Sequence, residues 1–270
     1  MPELPEVETV KNTLKKLVLR EKIKEVKVLY PSIIEGISPD EFIKKICNQT
    51  INDIKRRGKW LLFELDNYYL ISHLRMEGKY FIHEFGESIS KHEHVIFTLS
   101  DKELRYQDTR KFGKMYLIDK DKLEVSKPIN ELGLEPWDNN LTKEYLKEKY
   151  KKKNIPIKTT LLDQSIIVGI GNIYADEILY LCKLSPLTKT NELSDKNLED
   201  IIRYTKEVLE HAIELGGTTI RSYESAKGVH GLFQNELLVH NQTVCPNCKA
   251  TISKIRVGGR GTYYCSNCQK

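Results

Sequence analysis

Four cysteines near the end of the 270-residue sequence form two C-x2-C pairs, Cys245 with Cys248 and Cys265 with Cys268. Two such pairs separated by a short insert can bring four thiolates onto one tetrahedral ion, the arrangement that zinc takes in ribbon-type sites. The spacing predicts one structural Zn2+. Between the pairs, residues 252–257 and 262–264 read as two strands joined by Gly258-Gly259-Arg260-Gly261, a hairpin too small to fold without the metal. A site of this kind can simply hold a terminus together. The glycine-flanked Arg260 favours a binding role, because such a turn lets backbone and guanidinium come close to a phosphate.

The other end of the chain offers a second kind of chemistry. Met1 precedes Pro2, a small residue of the type that permits removal of an initiator methionine, which would leave a secondary amine beside Glu3. An α-amino group titrates at about 7.7 to 8.0, far below a lysine side chain, so part of it is nucleophilic at neutral pH. Taken without their neighbours, Pro2 reads as an ordinary chain end, and Glu3 and Lys59 read as solvated charges. Cys47, in the apolar run 42–46, and Cys182, on a helix face, read as packing residues and not as nucleophiles.

These groups need elements to hold them. After Pro5, Val7, Val10, Leu14, Leu17 and Val18 repeat at helical spacing, with Glu6 and Glu8 in the first turn where the helix dipole favours anions. Residues 23–119 then turn β-rich, with runs at 60–65, 68–74, 94–99 and 114–118 and turns at Asp66-Asn67 and Ser100-Asp101, which predicts an antiparallel sandwich. Pro128, Gly133 and Pro136 mark a boundary, followed by predicted helices at 142–153, 159–165, 172–182 and 194–215. In the last of these Ser194 caps the start, Leu198, Ile201, Ile202, Val208, Leu209 and Ala212 line one side, and Gly216-Gly217 ends it. Residues 222–231 read as an exposed loop. The expected fold is α+β and multidomain: an N-terminal helix with a β-sandwich over 2–133, a helical domain over 134–234 and a zinc-ribbon hairpin over 235–270.

Composition narrows the class without deciding it. Lys and Arg number 43 against 38 Asp and Glu, and a net charge of +5 permits a polyanionic partner without demanding one. The opening residues carry carboxylates where a signal peptide needs a basic segment, and no stretch is long enough to span a bilayer, so an intracellular protein without a membrane partner is expected. In a reducing compartment the six cysteines argue against a disulfide framework.

Several short motifs then occur in a fixed order along the chain. They are Pro2-Glu3-Leu4-Pro5-Glu6-Val7-Glu8-Thr9, Arg57-Gly58-Lys59, His73-Leu74-Arg75-Met76-Glu77-Gly78, Lys91-His92-Glu93-His94-Val95, Asp108-Thr109-Arg110-Lys111-Phe112-Gly113, Gly169-Ile170-Gly171-Asn172-Ile173-Tyr174-Ala175-Asp176-Glu177 and the hairpin with Arg260. With them the chain resembles the formamidopyrimidine-DNA glycosylase family over essentially its whole length. That resemblance implies a helix, two-turn, helix DNA-binding module around 169–177, whose glycine turns leave backbone N–H groups and Asn172 facing a phosphate. It implies a bifunctional glycosylase and abasic-site lyase that removes oxidised purines from duplex DNA and cuts the strand by β,δ-elimination. Such an enzyme flips the damaged nucleotide out and fills the gap, a task the resemblance gives to Met76, Arg110 and Phe112.

The same resemblance makes Pro2 the nucleophile, Glu3 the proton donor and acceptor, and Lys59 and Arg260 the groups that assist the eliminations. It places His73, His92, Lys153, Lys158 and Asn172 on backbone phosphates, with Arg110 beside them. Its implied partner is double-stranded DNA bearing oxidised bases or abasic sites, met by a monomer in the cytoplasm at the nucleoid. By residue type alone, Met76 and Phe112 read as core residues, and His92 and His94 as a solvent-facing strand pair. The sequence departs from the family at Thr109-Arg110-Lys111, where Pro-Arg-Arg is frequent, and in a shorter linker over 239–244. Two alternatives share features: endonuclease VIII-like glycosylases for oxidised pyrimidines, and a non-catalytic zinc-ribbon DNA-binding protein. Leu4 with the intact Met76, Arg110 and Phe112 disfavours the first, and the presence of Pro2, Glu3 and Lys59 disfavours the second.

Overall fold

Helix α1 (Leu4–Val18) forms where the apolar stripe predicts it, with Glu6 in its first turn and Lys15 and Lys16 in its last, complementing the helix dipole. Val7, Val10, Leu14 and Val18 are almost wholly buried, and burial of such side chains is worth roughly 1.5–3 kcal/mol each against exposure. They enter one apolar cluster with both sheets that follow. The computed structural model of the chain describes residues 1–218 and 231–270; the loop expected at 222–231 lies, apart from Gly231, outside the described residues.

Nine strands succeed α1: β1 (Glu25–Val28), β2 (Ile34–Glu35), β3 (Asp53–Arg57), β4 (Trp60–Glu64), β5 (Tyr68–His73), β6 (Lys79–His83), β7 (Glu93–Thr98), β8 (Glu103–Gln107) and β9 (Lys114–Asp119). They build a four-stranded sheet in the order β1-β7-β8-β6 and a five-stranded sheet in the order β2-β9-β5-β4-β3. Val26, Phe97 and Leu104 of the first sheet share a core with Ile54, Leu61, Phe63 and Met115 of the second, and Phe63 meets Tyr80 at 5.6 Å between ring centroids. The sandwich is not wholly antiparallel, since the two residues of β2 pair with β9 in parallel. Helix α2 (Pro39–Ile46) interrupts the β region unannounced: Ser38 accepts the Glu41 N–H, Pro39 opens the first turn, and Phe42 and Ile46 are buried. Cys47, at the end of α2, packs partly buried against this core, and burial raises its thiol pKa.

Beyond residue 130 the chain is helical: α3 (Lys143–Tyr150), α4 (Ile157–Leu161), α5 (Asn172–Leu181) and α6 (Asp195–Glu214). Helix α4 starts two residues before the predicted 159–165 segment and ends earlier, its first turn following Pro156, whose fixed φ suits a helix entry. Ser194 and Asn197 form a reciprocal capping box at α6, and Gly216 and Gly217 leave it at φ +75° and +81°. Buried Cys182 lies in the helical core, its thiol pushed up to about 12 by burial. The chain ends in a hairpin of β10 (Ser253–Val257) and β11 (Arg260–Tyr264).

Among the described residues, contacts gather Met1–Pro2 and Glu6–Asn130 into one unit, and Glu3–Pro5, Glu131–Thr218 and Gly231–Lys270 into a second. The second unit therefore holds both the helices and the hairpin, and Tyr180 of α5 shares an apolar cluster with Val239, Cys245, Ile252 and Cys265.

Candidate active site

The four hairpin thiols lie within 4.8 Å of one another. A tetrahedral ion with Zn–S bonds of about 2.3 Å holds its sulfurs about 3.8 Å apart. The Sγ separations are 3.8 Å for Cys245 and Cys268 and 3.4 Å for Cys248 and Cys265, so the donor set fits zinc. Asn247 Nδ2 donates to Cys268 Sγ at 3.4 Å, and the Tyr180 hydroxyl sits 3.3 Å from Cys245 Sγ, contacts that orient thiolate ligands. The turn is tighter than the sequence suggested. Gly258 and Gly259, at φ +54° and +80°, make a two-residue loop, and Arg260 is the exposed first residue of β11.

Glu3 belongs to the same unit, and it is not a solvated charge. Its carboxylate is buried and accepts the N–H groups of Ile173 at 2.9 Å and Tyr174 at 3.4 Å. Helix α5 has Gly171 as its N-cap, with no side chain to satisfy those first-turn donors, so Glu3 caps the helix from elsewhere in the sequence. The glycine motif is explained by this docking: a Cβ at Gly171 would run into the Glu3 carboxyl, and one at Gly169, at φ +93°, into Leu4. Leu4 also donates its N–H to the Gly169 carbonyl at 3.1 Å. The Ile173 and Tyr174 amides thus serve Glu3 and not a phosphate. Asn172 Nδ2 donates to the Gly261 carbonyl at 2.9 Å, joining the start of α5 to the hairpin.

Lys158 was expected on a phosphate and is instead completely buried. Its ammonium is ion-paired to Asp176 and donates to the Asn172 carbonyl at 3.1 Å. Burial lowers its pKa, against the opposing pull of Asp176 and the more distant Glu3. The other Asp176 oxygen meets His240 Nδ1 at 2.7 Å and accepts the Tyr263 N–H of β11 at 3.2 Å. Glu177 accepts the backbone N–H groups of Leu238, Val239 and His240 at 2.7 to 3.1 Å, while burial pushes its pKa above the usual carboxylate value. Asp176 and Glu177, to which sequence reasoning gave no role, therefore fasten the 239–244 linker and the hairpin to α5. Lys153 is half-buried and paired to Asp163 at 3.1 Å, apart from this network.

In the first unit, Pro2 is buried and Met1 is exposed. Lys59 stands on the turn between β3 and β4, after Gly58 at φ +56°, and is buried with 6% of its surface exposed. A buried lysine is rare without a task or a partner. Nearby His73 stacks edge-on to Trp60 at 4.5 Å and accepts the Arg75 N–H on Nδ1 at 2.8 Å. Burial, with Arg75 and Lys59 adding to it, drives its pKa down to about 3. His73 is consequently neutral at pH 7 and carries its proton on Nε2, so it can offer a phosphate a hydrogen bond but no charge.

The loops carrying the three gap-filling candidates lie side by side. Thr109 Oγ1 donates to Glu77, linking the Met76 loop to the Arg110 loop. Below them the Tyr106 ring fits against both Gly78 and Gly113, where a Cβ on either glycine would meet its hydroxyl. Phe112 leaves 48% of its surface exposed, with the Arg110 guanidinium 4.7 Å above its ring, and Met76 is half-buried. Phe112 is thus not the core residue its type suggests. His92 is half-buried, and His94 is buried with Nε2 2.7 Å from the Asp108 carbonyl, so the two are not a solvent-facing pair.

Comparison with known proteins places this geometry. Residues 1–115 match the formamidopyrimidine-DNA glycosylase N-terminal domain, residues 132–224 its H2TH domain, and residues 244–270 the zinc finger found in FPG and IleRS. The formamidopyrimidine-DNA glycosylase of Bacillus subtilis is 48% identical over 273 residues, covering 100% of this chain and 99% of its own. That of Oceanobacillus iheyensis is 48% identical over 275 residues, covering 100% and 98%. Among solved structures, a Lactococcus lactis FPG mutant in complex with Fapy-dG containing DNA superposes with a TM-score of 0.93 at 40% identity, with 100% of both chains covered. The Lactococcus lactis Fpg complex with abasic site containing DNA gives 0.93 at 39%, over 99% of both chains. Likeness of this extent, through all three matched segments and the whole length, means that the chain belongs to the formamidopyrimidine-DNA glycosylase family.

Proposed function

We propose that the chain removes oxidised purines, 8-oxoguanine and formamidopyrimidines, from duplex DNA and then cuts the strand at the abasic site. Removal of Met1 frees the Pro2 nitrogen, which attacks C1′ of the flipped nucleotide. The bond from C1′ to the base breaks, the base leaves with the electron pair, and opening of the sugar ring yields an iminium between Pro2 and C1′. A proton then leaves C2′ as the iminium takes up the electrons, and the 3′ phosphate departs from C3′; loss of a second proton, from C4′, supplies the electrons that expel the 5′ phosphate from C5′. The observation that carries this reading is the placement of Glu3: a buried carboxylate, fixed by two N–H donors at the start of α5, one peptide bond from Pro2. Glu3 moves protons at the sugar, and Lys59 and Arg260 assist the two eliminations.

Met76, Arg110 and Phe112 fill the gap, as an exposed phenylalanine under a guanidinium is suited to do. His73, His92, Lys153 and Asn172 hold phosphates, while buried Lys158 acts through the Asn172 carbonyl that it grips. Cys245, Cys248, Cys265 and Cys268 hold zinc, which supplies the structural crosslink that shapes the hairpin. The DNA partner sets the location in the cytoplasm at the nucleoid; among the described residues no helix is long and apolar enough to cross a membrane. The test is borohydride reduction during reaction with duplex DNA containing 8-oxoguanine opposite cytosine. A covalent adduct at Pro2 is expected, and its absence, or its survival unchanged in Pro2→Gly, overturns the reading.

A further inference from the structure

We propose that Asp108 is a positioning residue that builds the turn presenting Arg110 and Phe112 and couples it to the strand end carrying His92. The inference rests on the gap-filling reading of Arg110 and Phe112. The Asp108 side chain is completely buried, and its carboxylate accepts three backbone N–H groups: Arg110 at 3.0 Å on one oxygen, Phe112 at 2.9 Å and Gly113 at 2.8 Å on the other. Those donors converge because Lys111 between them adopts φ +58°, a left-handed conformation that a lysine does not take readily. Successive N–H groups around a left-handed residue form a concave anion site. Here the chain's own carboxylate fills it, and the strained Lys111 is held by the bonds on either side.

The backbone of the same residue faces the other way. Asp108 donates its N–H to the His92 carbonyl at 2.9 Å, and its carbonyl lies 2.7 Å from His94 Nε2. One residue therefore fixes both the turn whose side chains enter the duplex and the strand whose histidine meets the backbone. A shift of Asp108 would move Arg110 and Phe112 relative to His92, and with them the register between the orphaned base and the phosphate. The Pro2 chemistry itself does not pass through this residue. Its contribution belongs to steps that need a base stack and an opposite base.

Asp108→Asn keeps the shape but turns an amide donor toward one of the three N–H groups. On duplex 8-oxoguanine DNA, kcat/KM should fall about tenfold or more, as for loss of a buried hydrogen bond to a charged group, and the difference in rate that the wild-type protein shows between cytosine and adenine opposite the lesion should shrink. Borohydride trapping of a single-stranded abasic oligonucleotide, which has no stack to fill, should lose far less than the duplex reaction. In an Arg110→Ala, Phe112→Ala background Asp108→Asn should add little. Lys111→Gly, which takes the left-handed turn without strain, should restore part of the loss and keeps the test open if Asp108→Asn folds poorly. Equal losses on duplex and single strand, additivity with the Arg110 and Phe112 changes, or unaltered base preference would overturn the assignment. Failure of the wild-type protein to excise 8-oxoguanine would instead overturn the functional reading beneath it.

Discussion

Gly171→Ala isolates the Glu3 site with a single methyl group. Gly171 sits at φ −123° and ψ −162°, extended backbone that alanine adopts freely, so conformational strain does not enter. The new Cβ would collide with Cγ, Cδ and Oε1 of Glu3, and that side chain must swing away from the N–H groups of Ile173 and Tyr174. Losing a helix cap costs about 0.5–2 kcal/mol, and a hydrogen bond to a charged group about 1.5–3 kcal/mol. The Gly to Ala change itself stabilises by about 0.4–1 kcal/mol through the unfolded chain. The net expectation is a destabilisation of about 1–2 kcal/mol with a loss of borohydride-trappable excision. In a Glu3→Ala background the three atoms nearest the new Cβ are gone, and Gly171→Ala should become stabilising by about 0.4–1 kcal/mol. Urea unfolding of the four proteins, followed by helical circular dichroism, reads the sign directly. An equal destabilisation in both backgrounds would refute the claim that Gly171 exists to admit Glu3.

Four further outcomes follow from the same geometry. His73 refuses a proton down to about pH 3 while the unfolded chain takes one near 6.5, so folding stability should fall as pH drops through that window, by up to roughly 1.4 kcal/mol per pH unit from this group. Denaturation midpoints of His73→Asn should show an acid slope shallower by about one proton. Lys158→Met should cost about 3–5 kcal/mol by leaving Asp176 buried without its cation, yet leave the salt dependence of DNA binding unchanged. Lys153→Met should reduce that slope by about 0.9 if it meets one phosphate. Removing zinc with a chelator should abolish the hairpin and weaken duplex binding, measured by fluorescence anisotropy, and zinc should restore both with one ion per chain by atomic absorption.

Some of this was legible in the residues and some was not. The zinc ligands could be found because both cysteine pairs are local in sequence, and α1 and α6 because each carries an apolar stripe between capping signals. Helix α2 was missed although Ser38-Pro39-Asp40-Glu41 is a helix start, since a segment of eight residues shows too little periodicity inside a β-rich region. The exposure of Phe112 contradicts its residue type, because the turn around Asp108 and not hydrophobicity decides where it points. Burial of Glu3 and Lys158 could not be read at all. Their partners stand 170 and 18 positions away, and only packing determines that a charge will be enclosed.

The glycines of Gly169-Ile170-Gly171-Asn172 have a cause inside the fold besides the one that the family resemblance gives them. The resemblance implies glycine turns that leave amides and Asn172 facing a phosphate. In the fold they clear space for Leu4 and Glu3, and the amides that follow are taken up by Glu3. The first turn of α5 thus serves as the receptor for the start of the chain, and its Asn172 reaches across to the hairpin at Gly261. Lys158 and Asp176 brace this junction from beneath, through the Asn172 carbonyl and the Tyr263 N–H. A carboxylate so held cannot drift with a fraying terminus. In the proposed reaction the nucleophile is the preceding residue, Pro2, so a chain end, usually the least ordered part of a protein, is asked to do chemistry next in sequence to a carboxylate that is fixed.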